Sequence, residues 1–211
     1  MSIDYWEAEQ EAAYDEFVES LSKELYAEHA EQAIDDFIRG RLRSFYAENP
    51  TVAVNPTKFA RKAKELISTD PTASLFYSSV AIEVFIKSVI LKPVIAGLVH
   101  SEAAAELIAG LMVKQSGIDR FSDLLFTISR EYAGIELREL KREGSNKSLW
   151  QERTEIQKIR NEIAHQANEC SEADAKLSFD VALHVFWVTK ELVEELGFEF
   201  DEDRNIISKS E

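Results

Sequence analysis

Seven glycines and four prolines are all that 211 residues carry to reverse or break the chain. A sheet-rich domain of this length needs more turn residues, because tight reversals call on glycine's positive φ and proline's fixed φ. The scarcity therefore predicts long helices joined by few connections, an all-α chain. Apolar residues make up 45% and charged residues 30%, which suits a folded core and excludes disordered or fibrous classes.

The acidic surplus is uneven. The formal net charge is −15. Residues 1–50 hold 13 Asp/Glu against 4 Lys/Arg, and residues 190–211 hold 8 against 3, whereas residues 51–189 are nearly balanced at 18 against 17. Any nucleic-acid surface must then be local, because such surfaces are usually basic. The N-terminus is acidic where a secretory signal is basic and apolar. The most apolar stretch, Leu75 to Val99, is interrupted by Glu83, Lys87, Lys92 and Pro93. It reads as a buried helix and not a membrane span. A single cysteine, Cys170, precludes an internal disulfide and reads as an inert thiol. The expected compartment is the cytosol, with no membrane partner.

Three segments follow from the patterning: an acidic amphipathic helical segment over 1–50, a helical domain over 51–197 and an acidic tail over 198–211 that pairs or frays. Trp6, Tyr14, Phe17, Val18, Leu21, Leu25, Ile34 and Phe37 recur mostly at three- and four-residue spacings over residues 4–48. Helix starts are marked by Asn55-Pro56, Asp70-Pro71, Ser101, the Ser148/Gln151 capping box and Ser171 with Asp174. Pro93 is expected to kink or end its helix. Gly117 and Gly134 bracket a short helix from Ile118 to Tyr132. Residues 133–148 are the most loop-like, and Gly197 stops the last helix.

One string carries chemistry: Lys158-Ile159-Arg160-Asn161-Glu162-Ile163-Ala164-His165. At 100° per residue, Ile156, Ile159 and Ile163 form one core stripe. Arg160 lies about 70° to one side of it, and Asn161 and His165 are i, i+4 neighbours on nearly the opposite face. His165 thus faces solvent, another helix or an interface. Trp150 and Trp187 read as core or interface aromatics, and His184 as a packed histidine.

With Leu149-Trp150 before it, this string resembles the R-x4-6-H motif of HEPN domains. Phe76 to Lys87, with Glu83, resembles the family's earlier long helix. The resemblance covers about residues 55–196. It implies a HEPN-like up-and-down helical bundle, usually dimeric, and in many members a metal-independent endoribonuclease in a toxin or defence setting. It implies RNA as substrate, a 2′,3′-cyclic phosphate product and no cofactor. A neutralising or activating protein partner is a further expectation.

Those residue types suit that chemistry. Histidine titrates nearest neutrality and serves as base or acid. Arginine stays charged and its planar fork matches phosphate oxygens. Arg160, Asn161 and His165 are the candidate catalytic residues. Glu83, as an orienting partner of Arg160, and Lys158, as a phosphate contact, are candidates for substrate binding or orientation. Glu83 also reads as an i, i+4 partner of Lys87. His29, His100, His165 and His184 have no metal-ligand spacing. The competing function is a non-catalytic HEPN-like dimeric module that binds a protein or nucleotide, which the acidic flanks favour. Mimicry of nucleic acid by the acidic arm is a third reading.

Overall fold

Helix starts written into the sequence become hydrogen bonds in three places. A computed structural model describes residues 36, 39–99, 104, 107–108, 118–166, 168–201, 204 and 206–209. Most of the amphipathic segment expected over 4–48, most of the helix expected from Ser101, and Gly117 lie outside the described residues; Ala104, Leu107 and Ile108 are helical. Met1–Gly40 and Arg41–Glu211 are separate units. In the first, Asp36, Arg39 and Gly40 are helical.

Residues 41–48 are helical and bury Leu42 and Tyr46. Helix α1 spans Val54–Leu66. Asn55 does not cap it: the helix begins at Val54, two residues before the start that an Asn55 cap implies, with Ala53 at the N-cap and no side-chain cap. The Ala53 carbonyl instead accepts both the backbone N–H and the hydroxyl of Thr57, at 3.2 and 2.8 Å.

Helix α2, Pro71–Val84, starts as expected, with the Asp70 carboxylate accepting from the Ala73 N–H at 2.9 Å and Pro71 in the first turn. Pro93 does not end the rod. The chain widens into a π-helical stretch, Phe85–Leu91, and continues as α3, Lys92–Leu98. In α geometry the Val89 carbonyl would take the N–H of residue 93, which proline lacks. The Tyr46 hydroxyl donates to that carbonyl instead, at 2.5 Å. Among the described residues no helix is long and apolar enough to cross a membrane.

A 3₁₀ turn, Ile118–Phe121, leads into α4, Ser122–Ala133. Gly134, at φ 65°, closes it with the left-handed αL motif: its N–H donates to the Arg130 carbonyl, and the Ile135 N–H donates to the Ser129 carbonyl. Helix α5, Leu149–Gln166, opens on the reciprocal Ser148/Gln151 capping box, at 2.9 and 3.3 Å. Helix α6, Glu172–Glu195, is capped by Ser171, whose hydroxyl accepts from the Asp174 N–H. Helix α2 packs against α1, α5 and α6. Ser74 and Ser78 of α2 and Ser178 of α6 are fully buried, small enough to let the backbones approach. The Ser74 hydroxyl donates to the Ala63 carbonyl at 2.8 Å.

The acidic tail pairs. Strands β1, Phe198–Asp201, and β2, Ile206–Lys209, form an antiparallel hairpin, with Phe200 opposite Ile207. Its apolar alternation explains its docking: Phe198 and Ile207 are nearly inaccessible, and the Phe200 ring meets Phe186 of α6 at 5.1 Å. The Ile207 N–H donates to the Pro50 carbonyl, tying the hairpin to the chain before α1. The described residues are thus mostly helical, with one two-stranded hairpin added to the expected all-α plan.

Candidate functional site on helix α5

Helix α5 buries Leu149, Ile156 and Ile163 on one stripe, as the apolar spacing requires. That stripe also contains Glu152 and Arg153, at 4% and 5% exposure. The Glu152 carboxylate receives a two-pronged contact from Arg142, at 2.7 and 2.8 Å, and the Ser145 hydroxyl at 2.8 Å. Burial pushes its carboxyl up. The hydrogen bonds from Arg142 and Ser145, with the Arg142 and His184 charges, outweigh that and hold it below its ordinary value. Arg153 pairs with Asp119 and lies over the Trp150 ring at 4.9 Å. The sequence reading passed over both charges. Their signal was positional: they stand four and three residues before Ile156, on the apolar stripe itself.

The candidate residues fall on two sides of this helix. Asn161 and His165 are exposed, one turn apart, as the helical wheel requires. With Asp119, Thr154, Lys158 and Glu162 they line a shallow, open depression of about 440 Å³. His165 has no hydrogen-bond partner among the described residues. Lys158 reaches outward, with Glu162 loosely paired to it at 4.0 Å.

Arg160 is half-buried and turned the other way. It lines a small pocket of about 40 Å³ between α2 and α5, together with Ser79, Glu83, Arg153, Ile156 and Gln157. Its guanidinium lies 5.9 Å from the Phe76 ring centroid and makes a long contact, 3.4 Å, with the Asn161 side-chain oxygen. Glu83 is engaged by Lys87 at 2.5 Å, the i, i+4 pairing. It faces Arg160 across the pocket, and no Glu83–Arg160 ion pair is formed among the described residues. The expected orientation of Arg160 by Glu83 is therefore not a direct bond here. Gln157 lines both concavities and stands between Arg160 and the His165 face.

The other singled-out side chains have plainer settings. Trp150 packs edge-on against Phe126 at 5.2 Å. Trp187 is 45% exposed, with Lys190 5.0 Å from its ring centroid. His184 is half-buried. Burial, then the Asp174 charge, pushes the Cys170 thiol up to about 11, which makes a reactive thiolate scarce near neutrality. Among the described residues no three His, Cys, Asp or Glu converge as a metal-ligand set.

No protein-family model, curated protein or solved structure matches this chain.

Proposed function

We propose that this chain is a HEPN-type endoribonuclease that cleaves RNA without a metal, with His165 as acid or base. The observation that carries the reading is the open face of α5, where His165 and Asn161 stand one turn apart beside Lys158 in a depression that a polymer backbone can enter. The neutral His165 imidazole takes the proton of a ribose 2′-hydroxyl. The 2′-oxygen attacks the adjacent phosphorus, and the 5′-oxygen leaves with a proton from an acid. The guanidinium of Arg160 stabilises charge on the phosphorane, and the Asn161 amide holds the imidazole or a phosphate oxygen. The products are a 2′,3′-cyclic phosphate and a 5′-hydroxyl. The separation of Arg160 from His165 within one chain supports a composite site in which a second copy contributes the Arg160 of its own α5 beside His165.

The same separation, with the net charge of −15, favours a second reading: a non-catalytic dimeric module that binds a protein or nucleotide. Cleavage of total RNA and tRNA with EDTA present distinguishes the two. Wild type is expected to cleave, and His165→Ala to lose at least about a hundredfold in rate while keeping its helical circular dichroism. Equal cleavage by both proteins removes His165 from the chemistry. Inert wild-type protein moves the assignment to the module.

A further inference from the structure

The pocket between α2 and α5 holds an unusual set of atoms. Ser79 Oγ, Gln157 Oε1 and Arg160 Nε each expose less than 1 Å² and bond to no protein group. All three residues line the same 40 Å³ cavity. Buried polar atoms are nearly always bonded, so three orphans among the residues that line one small pocket call for a shared explanation. Their chemistry is complementary: Arg160 Nε–H donates, the Gln157 side-chain oxygen accepts, and the Ser79 hydroxyl does either. Gln157 and Arg160 are three residues apart on α5, so they project to the same side of the helix. The volume of about 40 Å³ suits about three or four waters at most, since each needs roughly 10–15 Å³ and two to four polar partners.

We infer that Gln157 and Ser79 hold Arg160 through water bound in this pocket, which makes Gln157 the positioning residue for the guanidinium. The free enthalpic cost of the three orphan atoms is relieved by one bridged network. The Arg160 side chain is thereby fixed at Nε, while among the described residues Nη1 makes only the long contact with the Asn161 side-chain oxygen, at 3.4 Å. Gln157 also borders the His165 depression, so it joins the two halves of the candidate site. That Arg160 acts on phosphate rests on the ribonuclease reading above. The water-mediated hold does not.

The test therefore has one arm that needs no RNA. Arginine Nε–H groups held by hydrogen bonds give slowly exchanging signals in ¹H–¹⁵N NMR spectra. In full-length protein the Arg160 signal is expected to exchange slowly. Gln157→Met, which keeps the shape and removes the acceptor, is expected to speed that exchange about tenfold. Gln157→Glu retains an acceptor and is expected to restore slow exchange. Ser79→Ala gives a second, milder probe if Gln157→Met unfolds. On RNA, Gln157→Met is expected to lower kcat about tenfold with KM unchanged, and Gln157→Glu to recover it. Exchange equally fast in wild type and in both acceptor-removing variants would overturn the inference. Slow exchange that responds to Gln157, in a protein inert on RNA, would uphold it and remove the ribonuclease reading alone.

Discussion

Tyr46 shows how one side chain repairs what another breaks. Its ring is 1% exposed, and its hydroxyl donates to the carbonyl that Pro93 leaves without an α-helical donor. Tyr46→Phe keeps the ring and strips that donor from a buried acceptor. It is expected to cost about 1–3 kcal/mol in urea unfolding. A loss below a few tenths would mean that the π-helical stretch satisfies Val89 without help. Burial also pushes the phenol above its ordinary value of 10.0. A raised folded-state value means the contribution is complete below pH 10 and declines as pH rises past it.

At the scale of the element, α5 carries two tasks on different faces. One face buries a charge network. The other presents the candidate site. Glu152 joins the 134–148 loop to α5 through Arg142 and Ser145, and Arg142 also approaches Asp180 of α6 at 3.9 Å. Glu152→Ala leaves the half-buried Arg142 with only Asp180, at 3.9 Å, and is expected to cost about 1–3 kcal/mol, read by chemical denaturation. Because the folded Glu152 value is depressed, its contribution is present above the unfolded carboxylate value, about 4.3, and is lost as pH falls below it. Glu152→Gln should flatten that acid limb of the stability profile. An unchanged limb would assign the acid dependence to other carboxylates.

For the molecule as a whole, the proposed composite site makes a distinct prediction. Arg160→Ala and His165→Ala proteins, each inactive alone, are expected to regain activity when mixed and allowed to exchange subunits. A symmetric dimer that takes Arg160 from one copy and His165 from the other would recover about one quarter of wild-type activity at equal mixing. No recovery, with exchange verified by mass, would confine both residues to one chain's site. The net charge of −15 opposes RNA at long range, so any attraction must come from local cations such as Arg160 and Lys158.

What the sequence by itself determined lies within a turn or two of the residues that encode it. Asp70, Ser148 and Ser171 start their helices, and Gly134 and Gly197 (φ 65° and 82°) stop theirs, because caps and left-handed turns are local hydrogen-bond and steric events. The face of α5 that bears Asn161 and His165 was legible for the same reason: helical geometry alone assigns it. Partners distant in sequence were not legible. The Tyr46 hydroxyl meets Val89 across 43 residues, and that meeting accompanies a rod that runs through Pro93. Arg142 and Arg153 find their carboxylates across a loop and a 3₁₀ turn, turning two charges on an apolar stripe into core residues. Ser79 and Gln157 join the surroundings of Arg160 only because α2 packs on α5. Burial decides which polar atoms need partners, and burial is a property of packing.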